Sequence, residues 1–315
     1  MKRILLAALA IALPAAAQTY PAKPVRVIVP FAPGGPSDLL ARTFGQKLAA
    51  MWGQPVVIDN RAGANGVLGT EAAAKSAPDG YTLSIGSNGT HGINASLYAR
   101  LPYDTVKDFA PVTRLAQVPF LIVAHPSLPA RTLKDLVQLA RTRPGQVSCS
   151  SGGSPSQLAA ELFKSMVRID VLVVPYKGAA PAVTEVIGGQ ISMTFAGVAL
   201  AMPHVRAGRL RGLAVTGLNR SPVAPEIPTV DEAAVPGFEV STWYGLFAPA
   251  GTSAAIVDRI NQAVVKSAQL EDVRARLTAQ AFEPLADTPE QFAALVSTEI
   301  AKWAKVVKDS GARVE

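Results

Sequence analysis

The residues of this sequence that could do chemistry lie in short glycine-rich loops, not in clusters of acids, histidines or thiols. Phe31-Ala32-Pro33-Gly34-Gly35 leads directly into a helical pattern. At such a place free backbone N–H groups and the positive end of the helix dipole attract an anion. Paired glycines also let a ligand approach the main chain. The same residues would serve equally as a tight turn, and on this loop alone both readings stand. Asp38 falls in the first turn of the helix, where a carboxylate meets the dipole, bonds a free N–H or faces a ligand. Ser87-Asn88-Gly89-Thr90 and Ser151-Gly152-Gly153-Ser154 supply short polar groups suited to hydrogen-bonding a ligand, although polar turns also bond internally. Tyr176 and Lys177 follow a strand pattern. Lys177 would offset ligand charge, or stand solvated as exposed lysines usually do.

Enzyme chemistry finds little to work with. Gly63-Ala64-Asn65-Gly66-Val67-Leu68-Gly69 opens a helix, but its spacing is G-x-x-G-x-x-G and it follows the second strand, so it does not fit a dinucleotide fingerprint. No G-x-S-x-G elbow is present. His91, His125 and His204 are dispersed, without metal-ligand spacing. No catalytic residue, cofactor or metal is therefore expected. Cys149 is the single cysteine, so no internal disulfide forms, and it reads as a buried thiol. Basic residues are scattered and not interleaved with aromatics, so no nucleic-acid partner is expected.

The elements that must position these loops alternate along the chain. Val25–Val29 is a β-branched run ended by Pro30. Leu40, Phe44, Leu48 and Met51 recur at helical spacing, with Gly53 as a stop. Val56-Val57-Ile58 predicts a second buried strand, Val67–Ser76 a helix and Tyr81–Ile85 a third strand. A second series begins with a strand at Phe120–Ala124 and a helix at Thr132–Thr142, and continues in the same alternation to Val215. Trp243–Phe247 and helices at Ala254–Ala268 and Thr288–Lys308 close the chain. This order implies parallel sheets covered by helices, and ligands bind beyond the carboxyl ends of such strands. Two lobes facing each other would bring both sets of loops to one cleft.

The first 17 residues read as an export signal: Lys2 and Arg3, an apolar Ile4–Leu13, Pro14, and small residues ahead of Gln18. The apolar run is far shorter than the roughly 20 residues that span a bilayer, so cleavage and a soluble periplasmic product are expected. The remaining 298 residues (315 less 17) exceed the usual size of one domain. The formal charge of +7 falls to +5 without Lys2 and Arg3, a modest excess compatible with an acidic ligand.

Taken together, these motifs resemble a known family. Val29-Pro30-Phe31-Ala32-Pro33-Gly34-Gly35 with Asp38 and Ala41-Arg42 is similar to the opening of the Bug-type solute receptors of tripartite tricarboxylate transporters. Asn60–Gly66, Pro78–Leu83, Val174–Gly178, Ile227–Val230 and Gly245–Thr252 match successive further blocks. The resemblance implies an α/β, two-lobe type II periplasmic-binding-protein fold, with a ligand cleft between mostly parallel sheets flanked by helices. One lobe comprises residues 18–123 and the return 242–315, and the other residues 124–241. The implied protein is a monomeric receptor that captures a small organic carboxylate and delivers it to membrane permease subunits. A ligand-sensing adaptor for a membrane sensor kinase is the alternative. The implied pocket uses Phe31, Ala32, Gly34, Gly35, Asp38, Ser87, Asn88, Thr90, Ser151, Gly152, Gly153, Ser154, Tyr176, Lys177 and Ala196. Two positions depart from the family pattern: Gln157 stands where His is frequent, and Ala196 where Asp is common after Met-x-Phe. Loss of that acid predicts a ligand without an α-amino group.

Overall fold

The computed structural model describes residues 20–176 and 178–311. The export-signal segment, its end at Gln18 and Lys177 lie outside the described residues. The first lobe opens with β1 (Val25–Val29), α1 (Pro36–Trp52), β2 (Val56–Asn60), a 3-10 turn (Ala64–Gly66) and α2 (Val67–Ala74). It continues through β3 (Thr82–Ser87), a π-helical turn (Gly89–Ile93) and α3 (Asn94–Leu97). β4 (Phe109–Ala124) then leads into the second lobe. That lobe contains α4 (Leu133–Thr142), β5 (Ser148–Ser151), α5 (Ser154–Val167), β6 (Leu172–Pro175) and α6 (Ala179–Ile187). β7 (Met193–Gly197), α7 (Val198–Arg206), β8 (Arg211–Val215) and α8 (Val230–Ala233) complete it. The chain returns through β9 (Ser241–Pro249), α9 (Ala254–Ala268), α10 (Glu271–Ala279), β10 (Glu283–Pro284) and α11 (Pro289–Ser310).

Strand directions create the cleft. β1, β2 and β3 are parallel, β9 runs against β3, and β4 runs against β9. Strands β1, β2 and β3 therefore share the direction of β4. Beyond Pro119 the same β4 pairs antiparallel with β7 and β8, and β5 and β6 lie parallel to β7. The strands of the second lobe thus point back along β4 toward the first. Carboxyl ends of both sets meet, and their loops face one another.

Two sequence expectations change. Phe120–Ala124 is not a separate strand but the last part of the 16-residue β4, whose partners change between Pro119 and Phe120. Val56–Ile58 is not fully buried: β2 is an edge strand, and Val57 is 51% exposed.

Each lobe buries its own core. Leu40, Phe44, Leu83, Ile85, Leu246 and Ile260 pack in the first, and Leu136, Phe163, Phe195 and Phe238 in the second. The second core also takes Ile93 and Leu97 from the end of the first segment and Trp303, Val306 and Val307 from α11. The last helix therefore joins the two lobes. Cys149 is buried in the second core, and burial pushes its thiol up to about 12. No helix among the described residues is long and apolar enough to cross a membrane.

Candidate functional site

The cleft is built from the starts of four helices. Pro36 occupies the first position of α1, where its fixed φ suits the helix and its missing N–H is no loss. Gly35 caps α1, Gly66 caps α2, Gly153 caps α5 and Gly178 caps α6. None of these four starts is closed by a side-chain hydrogen bond. Three other helices differ: α4, α8 and α11 begin at Thr132, Thr229 and Thr288, each closing a reciprocal capping box with the residue three further on. Helices α7, α9 and α10 also start without a side-chain cap, but away from the cavity. The first turn of a helix carries N–H groups without internal partners. Around the cleft, the starts of α1, α5 and α6 leave such groups for an outside acceptor. At α2 the Gly66 and Val67 N–H groups already donate to the Gly63 and Ala64 carbonyls of the preceding turn.

Glycine is required at some of these positions for close approach. A Cβ at Gly66 would stand 2.8 Å from the Thr90 methyl and 3.1 Å from the Phe31 ring. A Cβ at Gly152 would fall 2.5 Å from the Ala179 backbone, so only glycine lets the α5 and α6 starts lie side by side.

The cavity between the lobes measures about 740 Å³, is partly open to solvent, and receives Phe31, Ala32, Gly35, Ser37, Gly63–Gly66, Ser87 and Asn94 from the first lobe. Gly152–Pro155, Tyr176 and Gly178 come from the second, and Thr242 and Tyr244 from the returning strand. No charged side chain lines it among the described residues. Four helix starts around a cavity whose described lining carries no acid offer a place for an anion, with aromatic and proline surfaces suited to an apolar body. A groove of about 790 Å³ also lies on the second lobe, between Arg131–Lys134 and Glu226–Pro228. The helix starts there are already closed by Thr132 and Thr229, which leaves the interlobe cleft as the candidate site.

Of the sequence-derived candidates, the structure brings Phe31, Ala32, Gly35, Ser87, Gly152, Gly153, Ser154 and Tyr176 to the cavity wall. Gly34 and Asp38 instead form the turn beneath it. Asp38 accepts from the Gly34 N–H at 3.0 Å, Arg42 Nε at 2.9 Å and Asn60 Nδ2 at 3.0 Å. The Arg42 hydrogen bond is the main cause holding its carboxyl below the usual carboxylate range. Thr90 is buried under the Ser87 loop, accepting the Ser87 N–H at 2.9 Å. Asn88 is also buried; its amide donates to the Ser241 carbonyl at 3.3 Å, and its Oδ1 has no partner among the described residues. Ser151 donates to the Gly153 carbonyl at 3.1 Å and so shapes its loop from within. Ala196 does not stand on the cavity wall: it is 2% exposed in the second-lobe interior, opposite Leu121 of β4. Its methyl points with Thr194 into the sheet-helix interface because the two residues share one face of β7.

Sequence reasoning missed Ser37, the Ala62–Gly66 loop and Tyr244. The loop was legible in principle, since it is a glycine-rich helix start at the carboxyl end of a strand. Tyr244 carried no such signal, because it sits in a run that reads as buried strand. His91, next to the Ser87 loop, is stacked on Phe247 at 4.0 Å between ring centroids, and burial pushes its imidazole down to about 3.

Two α/β lobes whose strand ends and uncapped helices surround one interlobe cavity define a two-lobe solute-binding protein of the periplasmic type. The chain belongs to the tripartite tricarboxylate transporter receptor family, TctC, whose model matches residues 40–312. It is 38% identical over 315 residues to Protein BugT of Bordetella pertussis, covering 99% of this chain and 97% of that one. Among solved structures it is similar to R. palustris Rpa4515 with adipate, at TM-score 0.82 and 37% identity over 93% of this chain and 98% of that one. It is also similar to MatC (Rpa3494) from Rhodopseudomonas palustris with bound malate, at TM-score 0.76 and 37% identity over 91% of this chain and all (100%) of that one.

Proposed function

We propose that this protein is exported to the periplasm, captures a small organic carboxylate between its lobes and hands it unchanged to the membrane permease of a tripartite tricarboxylate transporter. The observation that carries the reading is the ring of four glycine-capped helix starts, two from each lobe, around one cavity. Such a ring stabilises a negative charge without a cationic side chain. Adipate and malate, in the two similar structures, are both dicarboxylates. The family's transport role supports delivery to a permease, and the leader at residues 1–17 supports export. The cavity brings together no nucleophile with a base: the described lining contains serines but no histidine, acid or lysine.

A panel of mono-, di- and tricarboxylates tests the reading by thermal shift and calorimetry on protein stripped of ligand. An acid at 100 times its dissociation constant adds about 2.7 kcal/mol of stability. A flat response across the whole panel would overturn the proposal. A product differing from the added acid would show catalysis in place of carriage.

A further inference from the structure

Tyr244 lies on β9, directly opposite Ser87 of β3 in the antiparallel ladder. Side chains directly opposite one another leave the same face of a sheet. For this pair it is the face whose core holds Leu83, Ile85, Tyr244 and Leu246, with Leu40 and Phe44 of α1 packed over them. The second residue of α1 is Ser37. Three hydroxyl side chains, Ser37, Ser87 and Tyr244, therefore gather on the first-lobe wall of the cleft, beside the uncapped start of α1.

All three are nearly enclosed, at 2%, 4% and 8% exposure, yet all three line the cavity. Their hydrogen bonds are largely unspent. The Ser37 and Tyr244 hydroxyls have no partner among the described residues, and Ser87 Oγ only accepts the Thr90 N–H at 3.5 Å. Neither the Ser37 nor the Tyr244 hydroxyl is among the fully enclosed polar atoms without a partner, so each is open to the cavity it lines and free to bond a ligand. The Tyr244 ring is held edge-on against Phe282, with centroids 5.9 Å apart, in the core of the lobe. Packing thus fixes the ring and leaves the hydroxyl as the end that meets the cavity.

We infer that Tyr244 is a specificity-determining ligand contact, its hydroxyl donating to an oxygen of the carboxylate seated against the first lobe, with Ser37 and Ser87 flanking it. The inference rests on the carboxylate reading above and adds to it which wall reads that group and through which side chain. Neutral hydroxyls beside a helix start select by hydrogen-bond geometry as well as charge, so the distance from Tyr244 to the second-lobe helix starts limits the length of the acid.

Tyr244→Phe tests it, because the variant keeps the ring and its packing on Phe282. Adipate, malate and the tightest acid of the panel are titrated into wild type and variant by calorimetry, with the ligand-free melting temperature of each recorded. A lost hydrogen bond to a charged group corresponds to roughly 10- to 150-fold weaker binding, expected here with an unchanged melting temperature. Wild-type binding with equal affinity in the variant would overturn the role of Tyr244 and leave the carboxylate reading intact. Absence of binding to every acid by the wild type would overturn both.

Discussion

Gly35 is extended at φ −81° and ψ 175°, a conformation that any residue adopts, and a Cβ there would meet only the Ala32 carbonyl at an ordinary 3.7 Å. Geometry does not demand glycine at this point, in contrast to Gly34 beside it, at φ 87°. A side chain at Gly35 would instead occupy the α1 N–H groups, as Thr132, Thr229 and Thr288 do for their own helices. The expected outcome for Gly35→Asp is a ligand-free protein as stable as wild type or more so by a few tenths of a kcal/mol. Its affinity for the best-bound acid should fall at least about tenfold, since the new carboxylate takes the donors and repels the anion. Melting curves and titration of the one variant check both halves, and unchanged affinity would reduce this loop to a turn. At this scale the sequence was informative about where polar groups and glycines gather and poor about their duties. Asp38 and Ser151 look like ligand groups but hold their own loops. Tyr244 looks like core but reaches the cavity.

Among the elements, α11 carries the most consequential contact. Glu299 is 7% exposed, and its Oε2 accepts from Trp243 Nε1 of β9 at 3.1 Å and from Trp303 Nε1 at 2.8 Å. Lys302 lies 3.6 Å from the other oxygen. One carboxylate thus ties the strand that returns to the first lobe to a tryptophan in the core of the second. Glu299→Ala leaves two buried indole N–H groups unmet and is expected to cost about 2–4 kcal/mol, seen as a lower urea midpoint at unchanged slope. Glu299→Gln, which keeps an acceptor, should lose less. A loss below about 0.5 kcal/mol in the alanine variant, the range of an ordinary surface change, would remove this clamp from the account. Helix α11 itself was legible from its periodicity and from Thr288 at its start. The full length of β4 was not, because Pro111 and Pro119 interrupt the pattern of a strand. Proline removes a ladder donor. Pro111 is accommodated where the register shifts, and Pro119 stands where β4 exchanges one set of partners for another.

For the molecule as a whole, the strand order read from the sequence was enough to expect two sets of carboxyl ends around one cleft. The selectivity expected from Ala196 now rests on other ground, since its methyl lies inside the second lobe. No acid lines the described cavity, and Asp38 is committed to Arg42, Gly34 and Asn60. Four positive helix ends around an ammonium group, with no carboxylate to receive it, disfavour amino acids. Succinate should therefore bind more tightly than aspartate, and glutarate more tightly than glutamate, by at least about tenfold in each pair. Titration with the amino acid stronger in both pairs would refute this.

The interlacing of the two cores has a consequence for how the chain is made. The first sheet has a gap between β3 and β4 until β9 is present, and the second core lacks Trp303, Val306 and Val307 until α11 emerges. During N-to-C synthesis, neither lobe's core is complete before the final quarter of the chain has been translated. A chain cut before α11 would lose core residues of both lobes at once: Trp303, Val306 and Val307 from the second, and Phe292 and Val296 from beside Ile28 and Phe247 of the first.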